Sequence, residues 1–374
     1  VDLREARIDH ELFTSIPVDL MFRYNFVPLA GENGALVIAL AVAAWAITQW
    51  IYKQTLPFNI PGKVLEYPLW ALLVGLAGNL LLKLLNLKET LRPGIRTELF
   101  LKIGLVLLGA GINLAVIAKA AGGAIVQTLV IMPTVFFFSW WLGKKFGLDE
   151  KLRAVMSTAV SVCGVSAAIA AAGSVSAKKE QVSYITTLVI LVALPMMVIA
   201  PLLAGAMNLS DPVAGAWFGG NIDTTAAVVG AGTIYGEGAQ EIAAIVKSTQ
   251  NTLIGLVAFL LALWAASHDP KTNNGKPSAK IIWDRFPKFV LGFVLASILF
   301  TLGLIDGGKG TAIDALKNWA FTLAFVCMGL EFSIREVRKM GWRPVIVFLI
   351  VTVFNSLVGL GLAYVIFTWL LPIQ

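Results

Sequence analysis

Apolar residues run along this chain in long blocks, separated by short stretches rich in basic, polar, glycine or proline residues. A helix needs about 20 consecutive apolar residues to cross a bilayer. The blocks predict eleven membrane helices, at 34–52, 69–85, 99–118, 124–143, 154–175, 182–207, 213–235, 241–266, 286–305, 317–334 and 344–371. Two of these, 154–175 and 213–235, are built from Gly, Ser, Thr and Ala more than from Leu, Ile and Phe. Residues 1–33 mix polar positions with Phe13, Met21, Phe22, Tyr24 and Phe26, a pattern suited to an interfacial segment. The expected architecture is an all-α polytopic membrane protein with an N-terminal interfacial segment, 1–33, and a transmembrane domain over 34–374.

Composition agrees. Of 374 residues, 58% are hydrophobic and 14% charged, against about 25% charged in soluble domains. That excludes a water-soluble enzyme, a disordered chain and a disulfide scaffold. Thirty-four glycines in so apolar a chain point to close helix packing. Cys163 and Cys327 lie far apart in apolar stretches, with no CxxC or zinc spacing. The sequence opens at Val1 with no leader-like pattern, so the first span is expected to direct insertion.

The net charge of +7 raises nucleic-acid binding, but the position of the basic residues answers it. With alternating loops assigned to alternating sides, 21 of the 29 lysines and arginines fall on the side of the N-terminus. They sit at Arg4–Arg23 and within 83–102, 144–153, 271–288 and 335–343. The positive-inside rule then puts the N-terminus in the cytoplasm and the C-terminus outside. No nucleic-acid partner is expected; membrane lipid is.

Two segments look alike, one from Leu101 and one from Phe321. Each reads as an apolar helix ending at a glycine and a polar position, a basic turn, and a second apolar helix. They enter the membrane from opposite sides, the signature of an inverted repeat.

Three polar groups interrupt the apolar spans. In MSTAVSVCGVSAAIAAAGSVSAKK, Ser157, Ser161, Gly164 and Ala168 share a small-residue face that could simply pack tightly. The same stretch predicts a helix broken near Cys163–Gly164, with Ser166 in the first turn of the second half. Free N–H groups at such a start attract anions. In GGNIDTTAAVVGAG, Gly220 precedes Asn221 and Asp223, both good N-cap residues, and Thr224 and Thr225 follow. A second half-helix is predicted to start within Asn221–Thr225. Asp223 is the one acidic residue read at mid-span, where a carboxylate must cap, pair or titrate. In AAIVKSTQNTLIG, Lys247, Gln250 and Asn251 share a helix face. A buried ammonium needs a carboxylate, an anion or water, unless it snorkels to the interface. Glu331 is read as a helix end near Arg335, His10 and His268 as loop residues, and Asn113, Asn355, Pro195 and Pro201 as packing or kink features.

These blocks occur in one order, from VCGVSAAIAAAGSVSAKKE through LSDPVAGAWFGGNIDTTAAVVGAG, AAIVKSTQNTLIG and FPKFVLGFVLASILF to CMGLEFSIREVRKMGWRP. In that order the chain resembles the bacterial putative sulfate exporter family of inner-membrane proteins, over about residues 65–370. The resemblance implies inverted repeats, two broken helices crossing mid-membrane, and a core domain that moves against a scaffold. The family's Cys-Gly-polar-Ser-Ala element falls on Cys163, Gly164, Val165, Ser166 and Ala167. Its Gly-Ala-Ser-polar-acidic element falls on Gly219 to Asp223, and its Val-Lys-polar-Thr-Arg element on Val246 to Gln250. Val165 stands where the family is usually polar, and no arginine follows Lys247. The site is therefore less cationic than a sulfate dianion would want, and an organic sulfonate or another monoanion fits at least as well.

The expected activity is secondary transport of a small inorganic or organic anion in the bacterial inner membrane. The anion would be held by Ser161, Cys163, Gly164, Ser166, Gly220, Asn221, Thr224, Thr225, Lys247, Gln250 and Asn251. Asp223 would take the coupling ion, Na⁺ or H⁺, with no other cofactor or metal. A homodimer is implied by analogy. An anion channel and a cation–proton antiporter that pairs Lys247 with Asp223 remain open alternatives; a membrane enzyme lacks a nucleophile–base pair.

Overall fold

The computed structural model describes residues 34–53, 55–56, 60–61, 66–85, 94–268, 283, 286–305, 307–332 and 341–372. The interfacial segment 1–33 with His10, and the basic residues of 86–93, 269–282, 284–285 and 333–340, Arg335 among them, lie outside these.

The helices are α1 Ala35–Tyr52, α2 Tyr67–Leu84, α3 Thr97–Gly109, α4 Leu114–Lys145, α5 Glu150–Ser161, α6 Val165–Val175, α7 Lys179–Ala206, α8 Asp211–Asn221 and α9 Thr225–Tyr235. They continue as α10 Glu237–Thr252, α11 Ile254–His268, α12 Phe289–Thr301, α13 Gly307–Glu331 and α14 Arg343–Val365, which ends in a π turn, Ile366–Leu370. A two-residue antiparallel ribbon pairs β1 Thr55–Leu56 with β2 Ile60–Pro61. The chain has an all-α polytopic membrane fold.

Among the described residues, seven helical stretches are long and apolar enough to cross a membrane: Ala35–Tyr52, Tyr67–Leu84, Leu114–Lys145, Lys179–Ala206, Glu237–Ala265, Thr311–Glu331 and Arg343–Leu370. The two small-residue spans are each divided, α5 from α6 and α8 from α9. A half-helix of 11 residues rises about 16 Å, roughly half the hydrocarbon core. Two halves in series therefore make one crossing.

Three boundaries differ from the sequence-based expectation. The span expected at 99–118 stops at Gly109, and α4 begins at Leu114 and runs unbroken for 32 residues through the basic turn expected before 124. The span expected at 241–266 is interrupted at Leu253. Helix α13 starts ten residues earlier than expected, so Lys317 is not in a loop. It is a buried cation whose ammonium sits 2.8 Å from Asp314 Oδ1, one turn away.

The chain divides into two compact units. The first holds residues 1–116, 233–237 and 289–332. Here α13 packs on α1, α2 and α3, and α12 packs on α3. The α2–α13 crossing is glycine on glycine: a Cβ on Gly329 would lie 2.6 Å from the Leu72 carbonyl, and one on Gly75 would lie 2.3 Å from that of Val326. Asn79 closes the end of this crossing by donating to the carbonyls of Gly329 and Phe332.

The second unit holds residues 117–232, 238–288 and 333–374, and with them the break in each divided span. Its core joins Ile131 and Val135 of α4, Val155 and Ala159 of α5, Ala167 and Ala171 of α6, Tyr184 and Leu188 of α7, and Phe348 and Val351 of α14. Helix α5 is polar by sequence yet buried from Leu152 to Ser161. It tolerates this because its hydroxyls bond within the helix or to a neighbour: Thr158 to Ala154 O, Ser161 to Ser157 O, and Ser157 to Ser139 Oγ of α4.

Asp149 starts α5. Its Oδ1 accepts from Leu152 N at 3.1 Å and from Gln181 Nε2 of α7 at 2.7 Å. Partial burial pulls its carboxyl upward, but these hydrogen bonds outweigh it and hold the group below the usual carboxylate range. Asp149→Ala is expected to cost about 1 kcal/mol at neutral pH, as for other lost N-caps. A group titrating lower in the folded chain stabilises it above its unfolded value, about 3.9. The wild-type advantage should fade as pH falls through the folded-state value. Thermal unfolding of both proteins in detergent at neutral and acid pH checks this.

Candidate functional site

The break between α5 and α6 is made by three residues. Val162 leaves helical geometry at φ −118°, ψ −89°, and Gly164 turns the chain at φ +67°, ψ −108°. Gly164 is obligatory on two counts. Its φ is one that L side chains rarely adopt, and a Cβ there would lie 2.5 Å from Val189 Cγ1 and 2.6 Å from the Asp223 carbonyl. The second contact also locates the other break, since Asp223 lies between α8 and α9. The two interruptions thus touch backbone to backbone.

At the second break Asn221 is the last residue of α8, Ile222 is extended, and α9 begins at Thr225. The start falls within the expected window, but the cap is Thr224. Its Oγ1 accepts from Ala227 N at 3.2 Å, leaving Asn221 on the wrong side of the gap to cap α9.

Back-to-back breaks bring four helix termini into the apolar interior. The C-terminal ends of α5 and α8 carry carbonyls with no helical partner and the negative end of each dipole. Side-chain donors meet them. Lys247 Nζ donates to Val162 O at 2.7 Å, Gln250 Nε2 to Gly220 O at 3.3 Å, and Asn355 Nδ2 to both Val160 O and Asn221 O at 3.3 Å. Gln127 Nε2 of α4 adds a bond to Ala216 O at 2.9 Å, and Gly220 makes room for that side chain.

Lys247 is 1% exposed. It does not snorkel: its second bond goes to Gln250 Oε1 at 3.0 Å, inside the same helix. An ammonium has three N–H groups, so these two bonds leave one uncommitted. Asp223 is 4% exposed and close enough for its charge and that of Lys247 to interact. Both of the bonds that Lys247 makes go to neutral oxygens and neither to the Asp223 carboxylate.

The N-terminal ends of α6 and α9 supply the opposite polarity. The helical ladder of α6 opens with Ala168 N donating to Gly164 O at 2.8 Å, which turns the positive end of its dipole toward the break. At α9, Thr225 Oγ1 accepts from Asn251 Nδ2 at 3.2 Å. Around these ends several buried amide groups use their N–H and leave the oxygen bare: Asn221 Oδ1, Asn251 Oδ1, Asn355 Oδ1 and Gln127 Oε1. A buried oxygen without a donor costs on the order of 1–3 kcal/mol.

The structure brings Cys163, Gly164, Gly220, Asn221, Asp223, Thr225, Lys247, Gln250 and Asn251 to one place. Ser166 stands in the first turn of α6 and Thr224 caps α9. Ser161 directs its hydroxyl back into α5. The sequence-based reading missed Asn355 and Gln127, treating the first as packing. Both lie on the buried side of long apolar helices. A lone amide in such a span was the available signal. Asn355→Leu keeps the bulk but strips one donor from two carbonyls, and should destabilise the chain by about 1–3 kcal/mol. Ser356→Ala, which removes only an acceptor for Asn221 Nδ2, should cost less. Unfolding temperatures of the two variants test the order.

The family model described as conserved hypothetical protein 698 matches residues 35–357. A model for the MshEN domain matches residues 1–51. A UPF0324 membrane protein of Rhodopirellula baltica is 40% identical over 354 residues, covering 91% of this chain and 64% of the relative. One from Nitratidesulfovibrio vulgaris is 35% identical, covering 81% of this chain and 55% of the relative. One from Bacillus cereus is 29% identical, covering 71% and 76%. The chain thus spans less than two thirds of the length of the first two. No solved structure matches it.

Proposed function

Since the chain belongs to the conserved hypothetical protein 698 family of UPF0324 membrane proteins, the putative sulfate exporters, we propose that it is a secondary transporter of a small anion, coupled to Na⁺ or H⁺. The observation that carries this is the buried Lys247 ammonium, anchored on the Val162 carbonyl at the point where the two breaks meet, with one N–H left over. The starts of α6 and α9 add the positive ends of two helix dipoles. Together they make a place for negative charge that needs no arginine.

Coupling follows from charge balance. Lys247 and Asp223 are both buried and near each other, so the empty site is close to neutral when both are ionised. An incoming monoanion would make it negative in a medium where uncompensated charge is expensive. A Na⁺ ion or a proton on Asp223 restores neutrality, so anion and cation each favour the other's binding by the same factor. The bare oxygen of Asn251, on the same face as Lys247, suits a hard cation or its water. The same oxygens would serve an antiporter that moves only cations, which is the second reading.

Uptake of radiolabelled sulfate and methanesulfonate into proteoliposomes tests the proposal. Lys247→Ala should lower saturable uptake at least tenfold. Asp223→Asn should leave anion binding in place but remove its dependence on Na⁺ or pH. Counterflow of unlabelled anion should stimulate wild-type uptake, which a channel would not show. Cation flux that ignores every anion would establish the second reading instead.

A further inference from the structure

Beside the first break, α4 and the junction of α10 with α11 enclose a cavity of about 490 Å³. Two local irregularities surround it. Pro133 lacks the N–H that would close a turn of α4, and Leu253 interrupts the helix between Thr252 and Ile254; both residues line the space. Close-packed interiors keep few voids larger than a water molecule, whereas ligand pockets commonly measure about 300–1,000 Å³.

The cavity has two chemically different ends. The inner end is Ser161, the last residue of α5, next in sequence to the Val162 carbonyl that holds Lys247. Thr128 lies in the same wall, fully buried, with a hydroxyl that finds no partner. The remaining wall is apolar, with Met132, Phe136, Trp140, Val257 and Trp264 prominent. The outer rim is formed by the exposed side chains of Phe137, Leu256 and Leu260.

A bare tetrahedral oxyanion is only a few times the roughly 30 Å³ share of a water molecule. It would leave most of this volume and the aromatic wall uncovered. Pressed against that wall it would also lose hydration with nothing in return. The dimensions and the polarity gradient match a molecule with a charged head and an apolar body.

We infer that this cavity is a tail-binding site, and that the substrate class is organic monoanions, alkyl or aryl sulfonates and carboxylates, whose head lies at the break. The assignment rests on the anion site proposed above and adds to it the part of the substrate that sets specificity. Charge complementarity selects this occupant over a membrane lipid chain or a neutral amphiphile. The inner end carries the unpartnered Thr128 hydroxyl and stops at Ser161, one residue from the carbonyl that anchors the Lys247 ammonium, whose spare N–H an alcohol or an acyl chain would leave unused.

The test is calorimetric binding to the full chain in nanodiscs, with empty nanodiscs subtracted. The probes are sulfate, the sulfonate series from methane to hexane, and butanol and hexanol. Sulfonate affinity should rise about three- to fourfold per added methylene, the equivalent of about 0.8 kcal/mol, until the space is full. Each alcohol should bind at least tenfold more weakly than the sulfonate of equal length. Val257→Trp or Leu261→Trp, checked for folding by unfolding temperature, should flatten the series. A flat wild-type series beside measurable sulfate and methanesulfonate binding would overturn the tail site and leave the anion site standing. Alcohols that match the sulfonates would mark a plain lipid pocket and overturn the inference. Failure of every anion, sulfate included, would remove the anion site itself. The wild-type series decides the matter even if neither tryptophan variant folds.

Discussion

Backbone polar groups inside an apolar medium must find partners. Interrupting one membrane helix halfway exposes two sets of them; interrupting two and placing the gaps in contact exposes four. The second unit is organised around this demand. Gly164 permits the contact, because no other residue fits both its backbone angle and the 2.6 Å approach to the Asp223 carbonyl. Lys247, Gln250 and Asn355 then supply donors to the carbonyl ends. The helices that start at Val165 and Thr225 turn the positive ends of their dipoles to the same place.

The arrangement explains why the polar residues come from where they do. Lys247, Gln250 and Asn251 project from one face of α10, while Asn355 comes from α14 and Gln127 from α4. Each donor has a specific acceptor, a backbone carbonyl for all but Asn251, which donates to the Thr225 hydroxyl. The buried cation is held by neutral oxygens. That keeps its charge available, in contrast to Lys317 in α13, whose charge is spent on Asp314 within its own helix.

Much of this was legible in the sequence, and the reasons are local. The breaks could be read because Gly164 and the run from Gly219 to Thr225 carry turn and cap chemistry inside apolar spans. Lys247 and Asp223 were legible because charges at such positions are rare. The cap is Thr224 and neither Asn221 nor Asp223, the two residues the sequence offered, because only the backbone path decides where the helix starts. The extent of α4 was hidden by the basic turn read between the spans 99–118 and 124–143; Gly123 there faces the Phe367 ring inside the helix. The role of Asn355 was hidden because its two partners, Val160 and Asn221, are 195 and 134 residues away, and only the fold brings them together.

A single carboxamide on α14 grips both severed spans at once, through Val160 and Asn221. That amide works as a rivet through two plates. Drawing either gap away from α14 breaks one of these bonds and strands a buried carbonyl.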